Sequence, residues 1–446
     1  MTEVRKWLAS ERDAAALAVF RMAFGLLVTV SAIRFLAYGW VDTLFDVKYR
    51  FTYWGFQWVP SPGVEAVRWM FIALIPLGLM VTAGALYRVA MPLLFVTFTW
   101  IQLLDVSTYL NHYYLVCLLA ALMCFMPLHA YWSVDARFRP ALRRETLPTW
   151  CTMLLRFQVG TVYVFAAIAK FNGDWLLHGA ALHLWLSSRP SVPVIGPWLH
   201  RPEVAWFMSW CGFLFDASAP FLLSFRRTRP FAYVAVLAFH LMTSALFPIG
   251  MFPFIMILST LVFFDASWPR RFVKSNVPVS ASSALLPKWA FAAMVTFVAI
   301  QLAIPLRTFF YGGDVSWHEQ GMRFSWRVMT REKNGTVTYV VKQKDSGREW
   351  HVSPRTYLNG VQERELAVQP DLILQLAQHI GAEFRARGVD VEVHADTLTS
   401  LNGRRAMPLI DPNVDLLTVR DGLAPKSWIL PAPTSPPLAP SLFSSR

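Results

Sequence analysis

The sequence predicts a mostly α protein, a polytopic transmembrane helical bundle of about nine spans followed by a small α+β extramembrane domain. Three observations carry that reading. Of the 446 residues 55% are hydrophobic and 15% charged, whereas a soluble domain is typically about 25% charged. The apolar residues arrive in long blocks rather than in alternation, with a mean hydropathy of +0.40. From about Arg307 those blocks give way to short periodic segments.

A helix that crosses the hydrocarbon core needs about 20 mostly apolar residues. Segments of that kind fall at 14–38, 64–86, 88–104, 110–128, 149–169, 203–224, 230–248, 249–264 and 286–305. The run 249–264 is short and starts on Gly250-Met251-Phe252-Pro253, so a broken or re-entrant segment is expected there. The first run is too long for a signal h-region and no small-residue cleavage site follows it, so no cleavable signal peptide is expected. Beyond Arg307, TVTYVVKQKD alternates as a strand, LILQLAQHIGAEFRARG has the helical period, and VDVEVHAD alternates again. The tail from Leu430, LPAPTSPPLAPSL, is Pro-rich and is expected to be extended or disordered. The expected division is 1–306 transmembrane, 307–428 extramembrane and 429–446 tail. No internal repeat marks a transporter with two related halves, although the break at Gly250–Pro253 is a feature such proteins share.

A net charge of +13 invites a nucleic-acid reading, but the basic residues sit in short loops between apolar runs. With Arg5, Lys6 and Arg12 in the cytoplasm, the crossings place Arg88, Arg137–Arg144, Arg226–Arg229 and Arg270, Arg271 and Lys274 on the same side. Everything after Arg307 then lies outside, in the periplasm of a bacterium or the lumen of a eukaryote. The expected partner is the lipid bilayer and not nucleic acid. Cys117, Cys124, Cys151 and Cys211 lie in or beside apolar segments without CxxC spacing, as small buried hydrophobes do. His112, His178, His183 and His240 lack ligand spacing on one element, so no metal is expected.

A charge at mid-bilayer costs about 2.5–3.5 kcal/mol on insertion scales, so each one needs a reason. Lys170 ends the run GTVYVFAAIAK, and two readings stand: an ammonium snorkelling to the headgroups, or a desolvated amine serving as a base. His112, in TYLNHYYLVCLLA, follows Asn111, which is expected to cap the fourth span. It is either interfacial packing or a neutral imidazole that relays a proton. Asp216 lies within WCGFLFDASAPFLLSF with no reachable surface, and Arg156 is its expected partner. His240, in VLAFHLMTS, is ambiguous in the same way. Together these residues are expected to face one polar cavity inside the bundle.

The segments LNHYYLVCLL, YWSVD, LLRFQVGTVYVFAAIAKFNGDWL, FDASAPFLL, FHLMTSALFPIGMFPF, WHEQGMRFSWRVM and VEVHADTLTSLNGRRAMPLIDPNVDLL occur in the order seen in the vitamin K-dependent gamma-carboxylases. Nearly the whole chain resembles that family, and in particular its bacterial relatives with the horizontally transferred transmembrane domain. The resemblance implies a membrane enzyme of the carbon–carbon lyase class. Such an enzyme uses a reduced vitamin K or menaquinone-type hydroquinone, dioxygen and carbon dioxide. Oxygenation of the quinone to its epoxide drives carboxylation of glutamate side chains in a secreted or periplasmic protein. Lys170 matches the family's lysine base, and His112 the histidine that assists it. Asn111, Arg156, Asp216, His240 and Phe324 become candidates for the quinone or substrate cavity. Phe324 stands where animal enzymes carry tyrosine, and those enzymes extend further, so docking of long propeptides is not expected. The rival reading keeps the scaffold without the chemistry, as a quinone- or lipid-binding helper for secreted proteins.

Overall fold

The computed structural model describes residues 1–273 and 285–437; Lys274 and the end of the Pro-rich tail, 438–446, lie outside the described residues. Each apolar run of the sequence is a helix. In chain order they are α1 Ala15–Ala37, α2 Val64–Ala83, α3 Tyr87–Leu103, α4 Asn111–Phe125, α5 Thr149–Lys170, α6 Pro202–Ser224, α7 Arg229–Leu246, α8 Phe252–Ser259 and α9 Lys288–Leu306. Six of these, α1, α2, α5, α6, α7 and α9, are long and apolar enough to cross a bilayer, and α3, α4 and α8 are shorter. The break expected near Gly250 is present: Gly250 takes φ +60°, α8 starts on Phe252-Pro253, and after Ser259 it tightens into a 3₁₀ turn, Thr260–Phe263.

Helices α1 and α2 cross closely because both carry glycine at the contact. A Cβ on Gly25 would lie 2.5 Å from the Gly78 carbonyl oxygen, so any larger residue there forces the helices apart. At one end of the bundle the basic loops gather. Strands β1 Glu11–Asp13 and β2 Thr146–Pro148 pair antiparallel, Arg270 bonds Asp13 and Tyr131, and Arg226 and Arg229 both reach Asp265.

The outer domain lies at the opposite end. Its central strand β3, Lys333–Gln343, pairs antiparallel with β4, Glu349–Val352, and along its whole length with β5, Val391–Leu401. Alternation directs Val337, Tyr339 and Val341 inward, against helix α11 (Pro370–Ala386) and a short α10 (Gly360–Leu366) that Asn359 caps. Strand β4 and helix α10 were beyond the sequence reading, since four and seven residues give too little periodicity. Phe51, Tyr53 and Val106, from loops of the bundle, are buried in the same core as this sheet. The two regions therefore share packing.

Candidate functional site

The inward face of α5 repeats every three to four residues as Val162, Tyr163, Ala166 and Lys170, and these line a cavity of about 280 Å³. Helix α6 adds Gly212 and Asp216 to the wall, α7 adds His240 and Thr243, and α8 adds Phe252 and Met256. Trp175 and Trp185 come from the connection between α5 and α6, and Val328 and Met329 close the side toward the outer domain. The walls are almost wholly apolar, with a few convergent polar groups, the usual make-up of a ligand site.

Lys170 and Asp216 meet inside it. The Lys170 Nζ donates to Asp216 Oδ2 at 2.5 Å, and the two residues are only 6% and 5% exposed. The ammonium also lies 5.4 Å from the centre of the Trp175 ring. Lysine at this helix end does not snorkel; it turns into the bundle. The expectation that Arg156 would pair with Asp216 is corrected. Arg156 sits 14 residues before Lys170 on α5, about 21 Å along the axis. Its guanidinium instead donates to the carbonyl oxygens of Val262 (2.7 Å), Phe263 (3.2 Å) and Phe264 (3.0 Å). The physical reason is the early end of α8, which leaves carbonyls without helical partners that a forked donor can satisfy.

His240 is 1% exposed, and its Nε2 shares a hydrogen bond with the Tyr163 hydroxyl at 3.0 Å, while its buried Nδ1 has no hydrogen-bond partner among the described residues. His112 is buried too, but it packs on Tyr113 (ring centres 4.4 Å apart) and Phe252 (5.9 Å). Phe252 in turn contacts His240 at 5.6 Å. Among the described residues no hydrogen bond joins His112 to Lys170. Among the described residues the histidine that lines the cavity with Lys170 and Asp216 is His240.

Two other candidates belong to a neighbouring region. Asn111 is the first helical residue of α4 rather than its cap, which is Leu110. The Asn111 side chain accepts from the Tyr109 hydroxyl at 3.0 Å and donates to the distant Arg327 carbonyl at 3.5 Å, so one local and one tertiary partner replace the capping bond. Phe324 packs on Tyr53, Tyr109 and Tyr114, and its N–H donates to the Tyr109 hydroxyl at 2.8 Å. It lines a second pocket, of about 290 Å³, with Arg323, Asp371 and Lys426.

The sequence reading missed Tyr163 and the backbone of 319–329. Tyr163 had a signal, since it stands seven residues before Lys170 on one helix face. The backbone had none. Glu319, Phe324, Trp326 and Met329 all take left-handed φ values of +49° to +63° without being glycine, each at a cost of about 1–2 kcal/mol. Such strain persists only where surrounding contacts enforce it, here the buried Trp326 stacked on Tyr114 with ring centres 4.9 Å apart.

The family model of the HTTM domain matches residues 10–268, and that of the vitamin K-dependent gamma-carboxylase lumenal domain matches residues 286–435. No solved structure matches the chain.

Proposed function

The chain belongs to the vitamin K-dependent gamma-carboxylase family, and from that premise we propose a membrane-bound carboxylase-like enzyme acting on a reduced quinone and on glutamate side chains. It couples oxygenation of the quinone to its epoxide with carboxylation of glutamate in a secreted protein or peptide. The observation that carries the reading is the Lys170–Asp216 pair, held at 2.5 Å in a cavity with apolar walls.

A vitamin K or menaquinone-type hydroquinone suits this cavity. The apolar walls accept a fused ring, and Lys170, Asp216, Tyr163 and His240 offer polar atoms for ring oxygens. When bound, the hydroquinone would supply, with dioxygen, the base strength for a γ-proton that no side chain can remove. The part of Lys170 is to take a proton from a hydroquinone hydroxyl, for which the amine must be neutral. A proton shift along the bond to Asp216 provides that state, because it turns two buried charges into a neutral amine and a carboxylic acid. The Tyr163 hydroxyl orients the His240 ring, and His112 supports the wall behind Phe252 as a positioning residue.

The same reading places the N-terminus in the cytoplasm and the outer domain in the periplasm or lumen, with the bacterial inner membrane as the setting. The gathering of Arg12, Arg226, Arg229 and Arg270 at the end opposite the outer domain supports it. It also keeps the division into residues 1–306, 307–428 and a Pro-rich tail, with glutamate presented from the outer side together with carbon dioxide.

The test is an epoxide assay on purified protein with reduced quinone and dioxygen, run with and without a glutamate peptide and labelled carbon dioxide. Epoxide and labelled peptide are expected from the wild type and neither from Lys170→Ala. Normal epoxidation by a folded Lys170→Ala protein overturns the assignment.

A further inference from the structure

The cavity is not enclosed on all sides. Three of its lining residues, Phe207 and Cys211 on α6 and Met242 on α7, are also exposed on the outer surface of the bundle, Phe207 at 63% and Met242 at 41%. Phe207 and Cys211 are four residues apart and stand one turn above the other on the same face. The surface around them is apolar as well: Leu214 and Leu241 are each more than half exposed. On a helix of a polytopic bundle, exposed apolar surface of this kind faces lipid. Gly212, next to Cys211, keeps the wall thin there, since a Cβ would stand in ordinary contact, 3.9 Å, with Phe239 and Trp175.

We propose that the gap between α6 and α7 at Phe207, Cys211 and Met242 is a lateral portal through which a lipid-soluble quinone reaches the cavity from the bilayer, its isoprenoid tail remaining in the portal. The inference rests on the quinone reading above and adds the route and the place of the tail. The polarity of the cavity sets the orientation. Its charged and hydrogen-bonding groups, Lys170, Asp216 and His240, are buried, and its exposed lining is apolar. A molecule with a polar ring and a long hydrocarbon chain satisfies both ends only with the ring inward and the chain toward lipid. A ligand arriving from water would meet Val328, Met329 and Trp185 instead, all half-buried.

Cys211 gives the portal a chemical reporter. Full-length protein in nanodiscs is treated with a membrane-permeant maleimide and followed by intact mass, with Cys211→Ser showing which adduct belongs to this position. Binding is read separately as quenching of tryptophan fluorescence. Phylloquinone carries a long tail, and 2,3-dimethyl-1,4-naphthoquinone is the same ring without one, substituted at both ring carbons so that it does not add thiols. At about tenfold its dissociation constant, phylloquinone is expected to slow alkylation of Cys211 about tenfold, the mass-action protection, while the tailless quinone binds with little protection. Gly212→Leu is expected to narrow the mouth and slow phylloquinone association more than that of the tailless quinone. Phylloquinone that binds without protecting Cys211, or equal protection by both quinones, overturns the portal and leaves the quinone reading standing. Failure of the wild type to bind either quinone overturns both.

Discussion

Lys170–Asp216 in the bundle and Arg323–Asp371 beneath the outer domain are ion pairs that both close at 2.5 Å, and their surroundings differ in kind. Arg323 reaches both oxygens of Asp371, the second at 3.3 Å, and also bonds Gln369, whose amide donates to Glu365 at 2.5 Å. Burial alone would raise the Asp371 carboxyl, but the guanidinium outweighs it and holds that carboxyl below the usual carboxylate range. Among the described residues Lys170 and Asp216 share one hydrogen bond, with mostly apolar walls around them and the Trp175 ring face beside the ammonium. A network in which every group is satisfied holds shape. In the function proposed above, a pair left thinly satisfied in an apolar cavity serves proton transfer rather than shape.

The sharpest way to break this comparison is to make the bundle pair apolar. Lys170→Met with Asp216→Leu is expected to cut epoxide formation by about 10²–10⁴-fold, the usual worth of a positioned base. Thermal stability in the same variant should hold or rise, because replacing a buried ion pair by apolar groups is often neutral or stabilising. A large fall in melting temperature would show that the pair is structural. Arg323→Ala should behave in the opposite way, lowering unfolding stability by roughly 3 kcal/mol through the stranded Asp371; an unchanged denaturation midpoint would remove the distinction. His240→Phe keeps the ring and loses its bond to Tyr163, so quinone affinity in a fluorescence titration should fall several-fold, in line with about 1 kcal/mol for one hydrogen bond.

Lys333 refines the contrast within the outer domain. Its ammonium is buried and donates to the Val368 carbonyl at 2.6 Å and to Glu319 at 3.3 Å. Burial pulls its pKa from 10.5 down to about 8. Between those values the unfolded chain binds the proton that the folded chain has released, so this lysine's contribution to stability rises with pH across that window and is level below it. The melting temperature of wild type relative to Lys333→Met should therefore climb from pH 8 to pH 10. A flat difference would mean that Glu319 holds the ammonium charged throughout.

Much of the scaffold was legible in the residues themselves. Nine apolar runs became nine helices, the break at Gly250–Pro253 appeared where a glycine and a proline stand together, and three periodic segments became β3, α11 and β5. Lys170, Asp216 and His240 were also marked by their type, because a polar group inside an apolar run needs a partner wherever the chain folds. Which partner it takes is a different matter. Arg156 was the expected partner for Asp216, and only the packing of α5 against α6, with α8 ending early, sent Lys170 to the carboxylate and Arg156 to three carbonyls. His112 and His240 divided in the same way, one behind Phe252 and one in the cavity wall. Local composition determines that a segment is a helix and that its charge must be satisfied, since both follow from desolvation. Tertiary packing alone decides which groups meet, because contacts between α5, α6 and α7 join residues dozens of positions apart that no local period relates.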